Sequence, residues 1–282
     1  MSAVVIEGSK IAKSIRENLK NKIELLKNEK GIEIGLAGVI VGGDPASIAY
    51  IRNKDKVCRE VGISSFTYEL PGETSEEELL KLIEELNNRK DIHGILVQLP
   101  LPGQINQNKI AEAIAPNKDV DCFNPINQGR FYRGEKAIPP CTPKGIMRLI
   151  DEAKIDLKGK RVAVIGRSNI VGKPAAFMAL ERNATVTICH SKTEDLKNHL
   201  LNSDVIISAV GRPGLVTKDM VRAGAVVIDA GTSYKDNKLV GDVDFEGVAE
   251  IASYITPVPG GVGSMTTTML IENVLEASGF YE

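Results

Sequence analysis

Short apolar runs set the limits on how this chain folds. GLAGVIVGG, ISSFTYEL and IHGILVQLPL occupy its first half, and RVAVIG, ATVTICH, DVIISAV and AVVIDAG its second. Helical or turn segments separate them, and strand–helix alternation is the signature of parallel sheets, whose strands are buried on both faces and so lack a polar alternation. Several of the helices carry their own punctuation. Ser9 can cap a helix in which Ile11, Ile15, Leu19 and Ile23 recur every fourth residue, and TSEEELLKLIEEL opens on a capped acidic turn. Asp44 followed by Pro45 is a helix start and Gly62 a helix stop, which predicts a helix over 45–61. From Asp119 to Cys141 there is Pro, Gly, Asn and Arg without periodicity, the pattern of a long loop. Thr142 and Pro143 open another helix, and the chain closes with ITPVPGGVGSM and an apolar helix, TTTMLIENVLEASG, that can cross back to the first half. Two α/β domains with a boundary near residue 141 account for this order, and 282 residues suffice for both cores.

Composition removes several function classes. Thirty-five basic residues against thirty-seven acidic ones, with no Trp, give neither the basic field nor the aromatic platform of a nucleic-acid binder. The opening MSAVVIEGSK lacks a charged n-region and an apolar core, and no run approaches the roughly 20 apolar residues of a membrane span, so a soluble, untargeted protein is expected. Cys58, Cys122, Cys141 and Cys189 are far apart and form no CxxC pair, as buried thiols of a reducing cytoplasm would be. Three histidines without ligand spacing point to no metal, and His93, in an apolar run, reads as a packed core histidine.

Within AYIRNKDKVCREVGI one residue stands out. At about 100° per residue, Tyr50, Ile51, Val57, Cys58 and Val61 share one arc of the 45–61 helix, and Lys54 falls inside it together with Ser47. Lys56 is displaced from Lys54 by about 200° and joins Arg52, Arg59 and Glu60 on the wet side. A lysine on an apolar stripe can snorkel its stem along the surface, or it can be a desolvated amine whose pKa is brought toward neutrality for proton transfer. Both readings are open on the pattern alone.

RVAVIGRSNIVGKP places a glycine loop between a buried strand and a helix, where backbone N–H groups can hold a phosphate. Gly166 and Gly172 are separated by five residues, so the segment is not G-x-G-x-x-G, and a plain structural turn is the alternative. The following strand ends in His190, Ser191 and Lys192 where an NAD-selecting domain would carry a carboxylate. With Arg167, Ser191 and Lys192 as donors, a 2′-phosphate and hence NADP is favoured; a local helix cap made by Ser191 is the competing account of HSKT.

Taken together, YIRNKDKV, HGILVQLPLP, KDVDCFNPINQG, PCTPKGI, GRSNIVGKP, CHSKT, GDVDF and TPVPGGVGSMT, in this order, resemble the bifunctional methylenetetrahydrofolate dehydrogenase/methenyltetrahydrofolate cyclohydrolase family. The resemblance implies two three-layer α/β domains with a cleft between them, the second a Rossmann-type dinucleotide domain. It implies a folate-binding catalytic domain over 1–140 plus 268–282, an NADP-binding domain over 141–267, and a cytoplasmic homodimer in one-carbon metabolism and purine biosynthesis. The activity implied is NADP-dependent oxidation of 5,10-methylenetetrahydrofolate to the methenyl form, then hydrolysis to 10-formyltetrahydrofolate. The tetrahydrofolate derivatives are the expected small-molecule partners.

Carried over residue by residue, the resemblance puts the catalytic lysine at Lys54, its partner tyrosine at Tyr50, its glutamine at Gln98 and its pterin-binding acid at Asp121. Substrate contacts fall on Ser47, Tyr50, Gln98, Leu99, Pro100, Asp121, Pro259, Gly260 and Gly261. Cofactor contacts fall on Thr142, Gly166, Arg167, Ser168, Ile170, Val171, Gly172, His190, Ser191, Lys192, Ala209, Val210, Gly211, Gly231 and Thr232. Hydride transfer needs close stacking, to which Tyr50 can contribute, whereas opening the methenyl bridge with water needs proton transfers that a desolvated lysine can make. Gln98 can orient Lys54, and Asp121 can accept two hydrogen bonds from the pterin.

Three positions depart from the family pattern. Cys122 stands where a glycine usually follows the DVD acid, Ser264 replaces a proline and is expected to loosen a loop, and AGTSY at 230–234 differs beside the nicotinamide. Two rivals remain: a short-chain dehydrogenase, since Tyr50 and Lys54 also spell Y-x-x-x-K though ahead of the glycine loop, and a non-catalytic dinucleotide or folate binder. A formate-activating ligase domain is not expected at this length.

Overall fold

The computed structural model describes residues 2–236 and 238–280. The chain divides into two compact units, Ser14–Cys141 with Thr267–Glu282, and Met1–Lys13 with Thr142–Thr266. It opens with β1 (Val4–Val5) and α1 (Gly8–Lys30), followed by β2 (Gly35–Val41), α2 (Pro45–Val61), β3 (Ser64–Leu70), α3 (Glu76–Asn88), β4 (Gly94–Val97), α4 (Gln107–Ala113) and α5 (Pro125–Tyr132).

The unit built on residues 14–141 has a parallel sheet in the order β3-β2-β4. Every residue of the central strand GLAGVIV is buried, as a strand covered on both faces requires. Ala37, Val39 and Val41 pack with Leu79, Ile83 and Leu86 of α3 and with Ile110 of α4. On the other face Gly38 lies against Ile51 of α2, so helices cover both sides. The caps read from the sequence are in place: Asp44 accepts from the N–H of Ser47, Ser75 and Glu78 form a capping box on α3, and Gly62 ends α2 with a φ of 88°. His93 is a packing residue whose Nδ1 accepts from the Gly35 N–H.

Two expectations about this unit need correction. Helix α1 starts at Gly8, with the N–H groups of Lys10 and Ile11 bonded to the Glu7 carbonyl, so Ser9 lies inside the first turn rather than capping it. The stretch from Asp119 to Cys141 is not all loop, because Asn124 caps α5 with Pro125 at its first position. Asp119 organises this region. Its carboxylate, 1% exposed, accepts from the N–H groups of Phe123 and Asn124 and from Asn127 Nδ2. Cys122 takes the left-handed φ of 57° that glycine adopts without strain, at a cost of about 1–2 kcal/mol, while its thiol is buried.

The second unit contains α6 (Cys141–Glu152) from Thr142 onward, then β5 (Arg161–Ile165), α7 (Gly172–Glu181), β6 (Thr185–Cys189), α8 (Leu196–Leu201), β7 (Val205–Ser208) and β8 (Val226–Asp229). A hairpin of β9 (Ser233–Lys235) and β10 (Lys238–Val240), then α9 (Phe245–Ala249), β11 (Tyr254–Ile255) and the start of α10 (Val262–Ala277) complete it. Its sheet is parallel throughout, in the order β1-β11-β8-β7-β5-β6. From β5 the chain winds outward to β6, then crosses back to β7 on the other side of β5. That reversal is the topological switch of a Rossmann-type sheet, and ligands sit outside the strand ends there.

The expected domain limits of 1–140 and 141–267 change at the amino terminus. Residues 1–13 group with the second unit because β1 pairs with β11, a two-residue contact too short to be read from sequence. Ser264 lies in the first turn of α10 rather than in a loop, so the expected loosening has no loop to act on. The departing AGTSY segment runs into β9.

Candidate active site

Lys54 is 5% exposed, and Ile51, Val57, Cys58 and Val61 are buried beside it on α2. Lys56 points to solvent and pairs with Glu60. The snorkelling alternative therefore fails for Lys54. Its Nζ donates to Gln98 Oε1 at 3.1 Å and lies 3.8 Å from the Tyr50 ring centroid, one helical turn back. Gln98 follows β4, and its Nε2 donates to the Leu99 carbonyl at 2.8 Å, which turns Oε1 toward the amine. The Leu99–Pro100 peptide is cis.

Burial lowers the Lys54 pKa to about 7, against the opposing fields of Asp121, Cys141 and Cys58. The tyrosine ring also favours the charged amine. Desolvation nevertheless wins, because a partly buried carboxylate and a ring face do not replace the water an ammonium loses. Burial likewise raises the Asp121 carboxyl, and burial with Asp121 nearby raises the Tyr50 phenol.

Asp121 is placed by a parallel bridge between Ile95 and Asp119, which carries the DVD segment alongside β4. Its Oδ1 accepts the Cys141 N–H at 2.8 Å, the first residue of α6. It is thus a helix cap acting across 20 residues of chain. Asn273 secures the two meeting segments by donating to the carbonyls of Val120 and Pro139. Ser47, on the same arc as Lys54 and among the expected substrate contacts, donates its hydroxyl to Asp44 Oδ2 at 2.7 Å and reinforces the α2 cap.

On the second unit, a crevice of about 440 Å³ opens at the switch point. Of the residues carried over as cofactor contacts, Gly166, Arg167, His190, Ser191 and Val210 line it, together with Ile165, Thr193, Leu196, Arg212 and Leu215, for which the sequence carried no such signal. The glycines are dictated by space. A Cβ on Gly166 would fall 2.6 Å from the Ala209 carbonyl oxygen, and one on Gly172 would fall 2.3 Å from that of Gly166. Ser168 Oγ accepts from the N–H groups of Val171 and Gly172 and so holds the loop and the start of α7. In HSKT the local hydrogen bonds use His190 and Thr193, and Asp195 caps α8, so the competing account of Ser191 as a cap does not hold.

Arg167, Ser191, Lys192 and Arg212 have no side-chain partner among the described residues, and no carboxylate lines the crevice. A nucleotide phosphate fits this donor set. Lys192, Ala209, Gly211, Gly231 and Thr232, also expected as cofactor contacts, are not among the residues that line it. Thr142 bonds Thr266 at 3.0 Å on α10. Pro259, Gly260 and Gly261 belong to this unit and not to that of Lys54; Val258–Pro259 is cis and the Gly260 carbonyl accepts from the Ser9 N–H. Among the described residues no cluster could hold a metal ion and no helix is long and apolar enough to cross a membrane.

A Rossmann-type sheet with a phosphate-ready crevice at its switch point puts the chain among the dinucleotide-binding α/β enzymes. Residues 6–121 match the tetrahydrofolate dehydrogenase/cyclohydrolase catalytic domain, and residues 140–281 match the NAD(P)-binding domain of the same name. The bifunctional protein FolD of Moorella thermoacetica is 54% identical over 99% of both chains. A crystal structure of the bifunctional enzyme FolD, methylenetetrahydrofolate dehydrogenase/cyclohydrolase, from Campylobacter jejuni superposes with a TM-score of 0.96 at 47% identity over 99% of each chain. The Trypanosoma brucei methylenetetrahydrofolate dehydrogenase-cyclohydrolase, complexed with NADP and an inhibitor, gives a TM-score of 0.96 at 39% identity, covering 99% of this chain and 98% of that one. The chain belongs to the tetrahydrofolate dehydrogenase/cyclohydrolase family.

Proposed function

We propose that this protein oxidises 5,10-methylenetetrahydrofolate with NADP and hydrolyses the resulting methenyl compound to 10-formyltetrahydrofolate, with Lys54 as the proton shuttle. The observation that carries this reading is a desolvated Lys54 amine held by Gln98 over the face of Tyr50. NADP bound in the crevice supplies the hydride acceptor for the first reaction. Arg167, Ser191 and Lys192 would hold its 2′-phosphate, and the glycine loop would let the backbone approach the pyrophosphate. Tyr50 offers a flat surface against the folate. Asp121 spends one lone pair on α6 and keeps others for the pterin's amino group and ring N–H.

In the hydrolysis, neutral Lys54 Nζ takes a proton from the water that attacks the methenyl carbon. As the bond from that carbon to N5 breaks, the ammonium returns a proton to N5. The hydroxyl proton is lost, leaving a formyl group on N10 and one proton released per turnover. Gln98 Oε1 holds one N–H of the amine, so its lone pair is aimed elsewhere. Leu99 and Pro100 are proposed as backbone walls of the folate site, with Ser47 acting through the α2 cap. A short-chain dehydrogenase is disfavoured because Tyr50 and Lys54 lie on the unit that lacks the glycine crevice.

A homodimer in the cytoplasm is part of this proposal. Strand β6 is a sheet edge, and Leu180, Ile188 and Leu201 on or beside it are 55%, 40% and 37% exposed, which suits burial against a second copy. The four thiols are buried and none is in a disulfide among the described residues, which suits a reducing compartment. The purified protein, mixed with methylenetetrahydrofolate and NADP, is expected to raise absorbance at the NADPH band and to accumulate the 10-formyl product. Neither signal appearing would remove the proposed activity.

A further inference from the structure

GDVDF is the sequence segment to which neither reaction assigns a role. Its first carboxylate, Asp242, is 0% exposed and satisfied entirely by donors on another strand end. Asp242 Oδ2 accepts from Ser208 Oγ at 2.8 Å and from the Val210 N–H at 2.9 Å, and Oδ1 accepts from the Arg212 N–H at 2.6 Å. A second buried carboxylate, Asp229 at the end of β8, holds Asp242 in turn. Its Oδ1 accepts from the N–H groups of Gly231 and Asp242, and its Oδ2 from that of Val243.

The two residues interlock. A Cβ on Gly231 would fall 2.1 Å from Asp242 Cγ, and one on Gly241 would fall 2.0 Å from Asp229 Oδ2. Neither carboxylate forms an ion pair among the described residues, so peptide N–H groups and one hydroxyl replace the water that burial removes. Packing alone has no need of such a group. What the donors share is position: Val210 and Arg212 line the dinucleotide crevice, and Asp242 itself does not. By holding both N–H groups, Asp242 ties down the Ser208–Arg212 segment, which carries two of the residues that line the crevice.

We propose that Asp242 is the positioning residue for the β7 wall of the dinucleotide crevice, with Asp229 holding Asp242's own backbone in register. The proposal rests on reading the crevice as the NADP site. Asparagine at 242 keeps the shape but offers one accepting oxygen and a donor amide, so at least one N–H of the wall faces a donor. The NADP dissociation constant is measured by calorimetry, and hydrolysis is measured on supplied methenyltetrahydrofolate without NADP, for wild type, Asp242→Asn and Ser208→Ala. Asp242→Asn is expected to weaken NADP at least tenfold and Ser208→Ala at least threefold, with hydrolysis within twofold of wild type in both. NADP affinity that stays within twofold, or hydrolysis and affinity falling together, would overturn the positioning role. If Asp242→Asn does not fold, Ser208→Ala decides alone: a threefold or larger loss supports the role and anything less overturns it. Failure of the wild type to bind NADP would instead sink the reading of the crevice.

Discussion

Replacing Lys54 with methionine is expected to slow hydrolysis of methenyltetrahydrofolate by about 10²- to 10⁴-fold, the range over which a positioned acid–base group acts. That corresponds to about 3–5 kcal/mol of transition-state stabilisation. The fold should survive, because the side chain sits on the buried face of α2 among Ile51, Val57 and Cys58, where methionine's length and apolarity suit the space. Gln98 Oε1 loses its donor, a smaller local loss. Oxidation by NADP places no proton on Lys54 in the proposed scheme. The variant should therefore convert methylenetetrahydrofolate to a methenyl compound that builds up, visible by its own absorbance. Unchanged yield of the 10-formyl product would show that Lys54 does not carry the proton.

Gly172→Val is expected to do the reverse. The new Cβ would fall 2.3 Å from Gly166 O, 2.5 Å from Gly166 C and 2.9 Å from Arg167 N, all backbone atoms of the β5–α7 loop. None of these can swing away as a side-chain tip could, so the loop itself must move. Overpacking of this kind costs about 1–3 kcal/mol of stability, and a displacement near 1 Å at a binding loop can cost on the order of 100-fold in rate. NADP reduction should fall by about that factor, while hydrolysis of supplied methenyltetrahydrofolate, which uses the other unit's Lys54, stays near wild type. Undiminished NADP reduction would show that the β5–α7 loop is not the cofactor cradle.

Where local signals were decisive, the sequence could be read directly. Asp44, Pro45 and Gly62 bound α2 to its residues, and the same 3.6-residue period put Lys54 on the inner face and Lys56 on the outer one. Gly166 and Arg167 at the end of an apolar run marked the crevice. Other features depend on partners far along the chain. Asp121 caps a helix that starts 20 residues later, and the two short stretches around Asn273's acceptors are joined only in space. Helix α5 was hidden because Asn-Pro initiates turns as readily as helices, and its few residues show no clear period. Arg212 escaped because the β7 wall is defined by Asp242, whose carboxylate acts on backbone atoms 30 residues away and leaves no side-chain pattern. Strand β1 escaped for a different reason, since two residues cannot establish a period of two.

The most direct test follows the amine itself. Isotope-labelled lysine side-chain resonances, assigned with the Lys54→Met variant, report the titration of position 54 in the folded protein. With a folded pKa near 7 against 10.5 for an ordinary lysine, the unfolded chain binds the extra proton between those values, so this group's contribution makes stability rise with pH across that window. A Lys54 midpoint at about 7 is the predicted result; a midpoint at the ordinary 10.5 would mean a hydrated ammonium and would contradict the proton shuttle.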